Sequence, residues 1–384
     1  EPMLVRLQVK PFFIVIFTVL SVLWLERQQN SWIKKILDWV PAILFAYVIP
    51  ATFTHIFGWD LSKVELHNWS KTVIIPFAIL MVMSALSFKQ LKIIGVRPIL
   101  LFVLGSLVIA ILAPILVWVS SYISPEVYQL VIVEKYWKGL VPIVGSWIGG
   151  STSQLVLKEV VECPEGLFLA ILVVDNILVN IWTILMFQMI KRSDQFNQFF
   201  NIQDEIKDFV PNKVSFKIAP WKSFVFTVGI SIVVILACTF FIKSFLWKII
   251  ALSIVGLILG NFIPAWNHSL VLKIGGVLII CIMAILGLKL DFGSFSLSIL
   301  LIVLIVIWLI LHFVFMMFFA KLLKLHMAWV PIASMANLGG ISTAPAVTAA
   351  YNEEWMPHAI VLAILSMVSG TTWGLVTIWF FGFL

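Results

Sequence analysis

Two short stretches of small and hydroxylated residues interrupt long apolar runs in this sequence. The first is GSWIGGSTSQ and the second is ANLGGIST. Glycine weakens a helix, and Ser and Thr offer the backbone alternative hydrogen bonds. A break at a glycine pair leaves backbone N–H groups unpaired, and such groups can hold an anionic or polar solute. The chemistry predicted for these stretches is therefore ligand binding.

The candidate substrate-binding residues are the two glycine pairs and the polar residues beside them. A short helix that begins after each pair would direct the positive end of its dipole toward the break. Close helix packing through small residues is the alternative interpretation. The duplication of the feature and the neighbouring amide side chains favour binding. The predicted set is Gly149, Gly150, Ser151, Thr152, Ser153, Gln154, Asn337, Gly339, Gly340, Ser342 and Thr343.

One acidic residue, Asp175, lies deep inside an apolar run, LAILVVDNILVN. A bare carboxylate in lipid is costly, so this group must be protonated, be paired, or face water or an ion. We predict an ion-coupling role, and a protonated Asp that makes a structural hydrogen bond is the alternative. The matching part of the second half, SMVSGTTWG, carries hydroxyls instead. The predicted ion-coupling set is Asp175, Asn176, Asn180, Ser366, Ser369 and Thr372.

The coupling ion is predicted to be Na⁺ rather than H⁺. Hydroxyl and carbonyl oxygens suit a hard cation, whereas a carboxylate suits either ion. The three cysteines show no metal-ligand spacing. The motifs GxxxxGK[ST], HExxH and GxSxG do not occur. We therefore expect no cofactor, no metal centre and no enzymatic activity.

The composition indicates an all-α polytopic membrane protein. Of 384 residues, 62% are hydrophobic and 11% are charged, which is typical of chains that cross a bilayer many times. The basic residues sit at the ends of apolar segments, as topology signals do, so the net charge of +7 does not indicate nucleic acid. We expect a multi-pass protein of a bacterial cytoplasmic (inner) membrane whose partners are lipid and a small-molecule substrate. A homodimer is left open.

Twelve hydrophobic segments can be marked, and most are long enough to span a core of roughly 30 Å at about 1.5 Å per residue. Residues 26–39 mix charges with Trp and Ile and predict an interfacial helix. Residues 191–222 form a polar linker. The segments are 10–25, 40–57, 72–88, 97–123, 140–158, 166–190, 223–242, 246–263, 270–288, 297–320, 328–350 and 356–384.

The two halves, 3–190 and 223–384, share an order of motifs. IPA occurs in both, and LVPIVGSWIGGST corresponds to WVPIASMANLGGIST. An acidic turn and an apolar helix follow each glycine pair. If the fifth segment of each half is a re-entrant hairpin, each half makes five crossings and the repeats are inverted. We prefer this arrangement to full crossing because both glycine pairs lie near the middle of a short segment, where irregular backbone can line a cavity.

The stretches WIGGSTSQ, VVDN and ANLGGISTAPAV resemble a family of bacterial integral membrane proteins typified by YjcL. The resemblance covers most of the chain and implies a fold and a class rather than a mechanism. Gln154 departs from the Asn that this family more often has there. More distantly, the paired glycine-rich elements resemble those of sodium-coupled carboxylate, glutamate and bile-acid carriers, a likeness of fold alone.

Together these patterns predict a secondary active transporter. Its substrate is expected to be a small polar organic solute such as an amino acid, a short peptide or a carboxylate. Coupling to Na⁺ and an elevator-type motion are the expected mechanism. An ion channel, which electrical recording would reveal, is one alternative. An intramembrane enzyme that acts on a lipid-linked substrate is the other.

Overall fold

The computed structural model describes residues 2–39, 42–202, 220–264, 266–289, 298–352 and 355–384. Helices account for nearly all of these residues, and no strand occurs among them. The all-α fold class predicted from composition is confirmed. Each of the twelve predicted hydrophobic segments overlaps at least one helix, and the segment 328–350 forms two.

The described helices, in chain order, are α1 (Pro2–Glu26), α2 (Ser31–Trp39), α3 (Ala42–Phe57), α4 (Leu66–Trp69), α5 (Ile75–Met83), α6 (Phe88–Ile94), α7 (Val96–Ile123), α8 (Pro125–Tyr128), α9 (Trp137–Val160), α10 (Glu165–Lys191), α11 (Ser193–Phe200), α12 (Pro220–Phe241), α13 (Phe245–Phe262), α14 (His268–Gly287), α15 (Ile299–Leu322), α16 (Trp329–Leu338), α17 (Gly340–Ala349) and α18 (Met356–Phe381). Two π-helical segments, Ser70–Ile74 and Gln129–Val133, follow α4 and α8.

Within the described ranges, nine helical stretches are long and apolar enough to cross a membrane, and two further apolar helices are shorter. The protein is therefore a multi-pass membrane protein. The predicted interfacial segment contains α2, an amphipathic helix that leaves Trp32 and Ile36 exposed. Of the predicted polar linker, residues 203–219 lie outside the described residues, and α11 occupies part of the rest.

The chain divides into two compact units that each take segments from both halves of the sequence. Unit 1 comprises the described parts of Glu1–Ala85, Pro164–Asn176 and Phe216–Ser296. Unit 2 comprises those of Leu86–Cys163, Ile177–Ser215 and Leu297–Leu384. The predicted boundaries at 190 and 223 separate two consecutive repeats, so they do not coincide with the boundaries of these units. The repeats themselves stay a prediction.

In unit 1, glycines allow helices to approach closely. Gly256 and Gly260 lie one turn apart on α13, a spacing that favours tight helix contacts in membranes. A Cβ atom added to Gly256 would lie 2.8 Å from the Cβ of Met83, and one added to Gly260 would lie 2.9 Å from the carbonyl carbon of Ser84. The backbone at the C-terminal end of α5 therefore packs directly on this glycine face.

In unit 2, side chains of α15 and α18 form hydrogen bonds with the backbone of α7. The indole Nε1 of Trp308 on α15 donates to the carbonyl of Ile109 at 3.1 Å. The hydroxyl of Thr377 on α18 donates to the carbonyl of Ala110 at 2.8 Å. Trp308 also packs on Trp147 of α9, with ring centroids 4.6 Å apart. These buried contacts fix the helices that surround both glycine pairs.

We expect Gly260→Ala to destabilise the protein by about 1–3 kcal/mol, because the added methyl group overpacks the contact with Ser84. Thermal unfolding in detergent would measure this loss. The matched control is Gly276→Ala on α14, where nothing lies within 4 Å of the new Cβ. Equal melting temperatures for the two variants would contradict the close approach of α13 and α5.

Candidate functional site

The first glycine pair turns the chain back on itself within α9. Gly150 has φ 66° and ψ −163°, a combination that residues other than glycine essentially do not adopt. In a straight helix Gly145 and Gln154 would be about 13 Å apart. Instead, a Cβ on Gly145 would lie 2.8 Å from the Cα of Gln154. The residues before and after Gly150 therefore form the two arms of a hairpin, named hairpin 1.

The second glycine pair also separates two arms. Helix α16 ends at Leu338, α17 begins at Gly340, and Gly340 has φ 63°. Trp329 at the start of α16 stacks on Trp355 beyond the end of α17, with ring centroids 5.0 Å apart. A continuous helix would separate these two residues by about 39 Å. The arms α16 and α17 thus form a second hairpin, named hairpin 2.

Neither hairpin can cross a membrane. The helices α16 and α17 have 10 residues each, or about 15 Å at 1.5 Å per residue. Helix α9 has 24 residues, but the turn at Gly150 divides them into two arms. A bilayer core of roughly 30 Å is too thick for arms of these lengths. Both elements therefore have the fold-back that the sequence predicts for re-entrant hairpins.

The hairpins approach from opposite ends of α18. At the base of hairpin 1, Trp137 lies against Phe381, the last residue of α18, with ring centroids 5.8 Å apart. At the base of hairpin 2, Trp329 lies 5.7 Å from the ring of His358, in the first turn of α18. These two positions are about 35 Å apart along a helix. The two hairpin bases therefore lie near opposite ends of α18.

The two hairpin tips meet at Ser366, between these ends of α18. Its hydroxyl contacts the carbonyl of Ile148, just before the turn of hairpin 1. The same hydroxyl lies 3.0 Å from Oδ1 of Asn337, in the last turn of α16. Ser106 of α7 lies 3.1 Å from the same Oδ1. One predicted substrate-binding residue and one predicted ion-coupling residue are therefore in direct contact.

Ser106 and the carbonyl of Ile148 were missed by the sequence analysis. Ser106 is the one hydroxylated residue in the apolar middle of α7, and it is fully buried. A lone serine in a membrane helix ordinarily donates to its own backbone, and Ser106 also makes that contact with Phe102. The contact with Asn337 is long-range, so no local pattern could have indicated it.

The hydroxylated residues that closely follow Ser366 on α18 differ in whether they contact hairpin 1. Thr371 lies 3.2 Å from the hydroxyl of Ser153 in hairpin 1. The hydroxyl of Ser369 donates to the carbonyl of Ser366 within the helix at 3.3 Å. Thr372, which the sequence analysis placed in the ion-coupling set, is exposed. Thr371 is thus the threonine of this pair that faces hairpin 1.

Among the residues that the structure describes, three buried polar atoms around the tips have no hydrogen-bond partner. They are Nδ2 of Asn337 and the hydroxyls of Thr152 and Thr343. A buried polar atom without a partner costs about 1–3 kcal/mol, so such a cluster is typical of a place where a ligand completes the bonding. Gln154 is buried beside Gly145, Ser151 is half-buried, and the side chain of Ser342 lies outside the description.

The remaining ion-coupling candidates lie on α10, which passes from one unit to the other after Asn176. Asp175 belongs to unit 1 and is 4% exposed. The amide of Asn176 donates to the carbonyl of Leu172 within the helix at 2.7 Å. Asn180 belongs to unit 2. The proximity of Asp175 to the hairpin tips stays a prediction.

A polar cluster closes the base of hairpin 2. Nε2 of His326 lies 3.3 Å from a carboxylate oxygen of Asp194 and 3.2 Å from the hydroxyl of Tyr351. Burial raises the pKa of Tyr351, and the charge of Asp194 and its hydrogen bond to the phenol raise this pKa further. The phenol therefore stays protonated and can donate. This cluster ties the start of α16 to the end of α17.

The long apolar helices and the buried polar contacts between two hairpin tips define a class: polytopic helical membrane proteins with a buried polar site. Within this class, the chain belongs to DUF819, a family of proteins of unknown function, which matches residues 13–382. No curated protein matches the chain.

The opposed hairpins predict that their flanking turns lie at opposite membrane faces. In a variant without the native cysteines, Glu162→Cys and Glu353→Cys should be labelled by an impermeant thiol reagent from opposite sides; Glu353 itself lies outside the described residues. Glu126→Cys is the reference for the side on which the base of hairpin 1 lies. Tyr128, two residues away, donates to the carbonyl of Leu384, and Phe381 near it contacts Trp137 at that base. Labelling of Glu162→Cys and Glu353→Cys from one side would refute the opposed arrangement.

The turn at Gly150 should not tolerate a side chain, although the space around it is open. We expect Gly150→Ala to cost about 1–3 kcal/mol of stability through backbone strain alone. Thermal unfolding measures this loss. Gly229→Ala is the control, because nothing lies within 4 Å there and its φ is not positive. A melting temperature of Gly150→Ala equal to that of wild type would show that the hairpin does not need this backbone conformation.

Proposed function

We propose that this protein is a secondary active transporter that moves a small polar organic solute across the bacterial cytoplasmic membrane. An amino acid, a short peptide or a carboxylate is the expected solute. The transport is coupled to a gradient of Na⁺, and the protein is not an enzyme. The resemblance of the paired glycine-rich elements to sodium-coupled carriers belongs to this proposal.

The observation that carries the proposal is the meeting of two opposed hairpins at Ser366. Each hairpin base lies near a different end of α18, as Phe381 and His358 mark. A solute held between the tips would thus be separated from each aqueous side by one hairpin. Alternating access requires a central site that can open to one side at a time, and broken elements from repeats that meet at the midplane are a recurrent solution.

The hairpin tips offer the groups that such a solute requires. Asn337 and Thr152 present an amide nitrogen and a hydroxyl that have no partner within the described residues. The second arms also begin at the turns of Gly150 and Gly340, and the first N–H groups of a helix have no acceptor within that helix. Amide and backbone donors together suit the carboxylate or carbonyl oxygens of a small organic solute.

The division into two units supports an elevator-type motion. Both hairpins and α18 belong to unit 2, whereas both IPA motifs belong to unit 1. An elevator needs one unit that carries the whole solute site and another that serves as the scaffold. A single unit that contains both hairpins meets the first requirement.

Uptake by purified protein tests the proposal. A thermal-shift screen of amino acids, short peptides and carboxylates, with and without Na⁺, identifies solutes that bind the folded state. Accumulation of a solute from this screen is then measured in proteoliposomes under an imposed Na⁺ or H⁺ gradient. A current that does not saturate with the ion, in place of solute accumulation, would assign the protein to the channels.

We predict that Asp175→Asn abolishes concentrative uptake and leaves the protein folded. The change keeps the size of the side chain and removes the charge that an ion-coupling group needs. The control is Asp60→Asn, whose carboxylate is exposed outside the membrane-spanning segments. If Asp175 is instead a protonated structural donor, the Asn amide can still donate. Full gradient-driven accumulation by Asp175→Asn would therefore refute its coupling role.

A further inference from the structure

The oxygen–oxygen contacts around Asn337 outnumber the hydroxyl protons that could form hydrogen bonds in them. The hydroxyl of Ser106 lies 3.0 Å from the carbonyl of Phe102 and 3.1 Å from Oδ1 of Asn337. The hydroxyl of Ser366 contacts the carbonyl of Ile148 and lies 3.0 Å from the same Oδ1. Each hydroxyl carries a single proton. Two protons therefore serve four oxygen–oxygen contacts, and half of the contacts place lone pair against lone pair.

These oxygens lie where water does not compete. Ser106 and Ile148 are 0% exposed, Ser366 is 1% exposed and Asn337 is 2% exposed. In a buried site of low dielectric, lone-pair repulsion is costly, and a positive charge that several oxygens share relieves it. A cation at this position would accept the lone pairs that no proton occupies.

We propose that Ser106, Asn337, Ser366 and the carbonyl of Ile148 form a binding site for Na⁺. The site deepens the proposed function, on which its role in coupling rests, because it places the ion in contact with both hairpins. Its ligands are two hydroxyl oxygens, one amide oxygen and one carbonyl oxygen, which a hard cation prefers. They carry no formal charge, so they suit a monovalent ion better than a divalent one.

The ion would connect four elements of unit 2 at once. Ser106 is on α7, Ser366 is on α18, and the two hairpins contribute the carbonyl of Ile148 and the amide of Asn337. Removal of the ion restores the lone-pair repulsion between Ser366 and Asn337. The occupied site therefore favours the arrangement in which the tips are together, and this preference is how the ion would control access to the solute.

A rotated amide is the competing arrangement. If the side-chain amide of Asn337 turned by 180°, its two Nδ2 protons would meet Ser106 and Ser366, and all four contacts would be satisfied without an ion. Oδ1 would then lie where Nδ2 now has no partner. The two arrangements differ in what they require of residue 337. The cation site needs an oxygen there, and the rotated amide needs a donor.

The test measures thermal unfolding of the purified full-length chain against NaCl concentration, with choline chloride holding the ionic strength constant and KCl as the comparison. We expect saturable stabilisation by Na⁺. Asn337→Asp supplies oxygens and a negative charge but no donor when ionised, so it should lower the half-saturating Na⁺ concentration by about tenfold or more. Ser106→Ala removes one ligand and should raise that concentration by about tenfold or more.

The matched control is Ser231→Ala in unit 1. Ser231 is fully buried and donates to the carbonyl of Thr227 in its own helix at 2.7 Å, as Ser106 does to Phe102. The Ser231→Ala change should therefore leave the half-saturating Na⁺ concentration unchanged. Absence of Na⁺-specific stabilisation in the wild-type protein would overturn the proposed site. A half-saturating Na⁺ concentration of Ser106→Ala equal to that of wild type would also overturn it. An Asn337→Asp protein that is destabilised and indifferent to Na⁺ would establish the rotated amide.

The binding measurement is independent of transport. Na⁺ stabilisation with the expected changes in both variants, together with absence of gradient-driven uptake, would keep the ion site and refute the transporter. Uptake driven by Na⁺, with Ser106→Ala and Asn337→Asp indistinguishable from wild type, would keep the transporter and remove the ion from this site.

Discussion

A helix that stops inside a membrane must find new partners for its backbone, because lipid offers none. This constraint governs unit 2. The chain changes direction at Gly150 and at Gly340, both of which have a positive φ. The hydroxyl of Ser366 on α18 contacts the carbonyl of Ile148. Helix α18 also passes so close to hairpin 1 that Gly370 faces Gly149 with no side chain between them. Helix α18 therefore lies directly against the turn of hairpin 1, and it also contacts Asn337 of hairpin 2.

The same constraint explains which parts of the site could be predicted. A glycine pair amid apolar residues is a local signal, because the φ that the turn requires depends on the glycine itself. The turns could therefore be predicted to within the glycine pairs Gly149–Gly150 and Gly339–Gly340, and the structure places the positive φ at the second glycine of each pair. The hydroxyls of Ser106 and Thr371 could not be predicted, because which face of a membrane helix meets a hairpin depends on packing between distant segments. A run that is apolar all round carries no period that marks that face.

The compact units could not be predicted for a related reason. Sequence similarity divides the chain into consecutive halves, but each unit collects segments from both halves. One division even falls inside α10, after Asn176, where the helix continues without a break. The sequence on both sides of the Asp175–Asn176 pair is apolar, so its composition does not mark a boundary there. What separates the units is the density of contacts, which only the folded chain defines.

The proposed cation site has only neutral oxygens as ligands, and this neutrality affects which solute would bind beside it. A site without formal charge gains a positive charge when it binds a cation, and in low dielectric that charge raises the affinity for an anion beside it. Nδ2 of Asn337 and the hydroxyl of Thr152, which have no partner among the described residues, lie among the same tips. A solute with a carboxylate would therefore bind more tightly once the cation is present. By reciprocity the solute would hold the cation more tightly. Coupling would then follow from charge alone, and a fixed carboxylate within the tips would weaken it by neutralising the cation first. An anionic solute would therefore be favoured over a neutral one, and hydroxyls and amides at the tips, unlike acids, would leave the charge of the cation available to it.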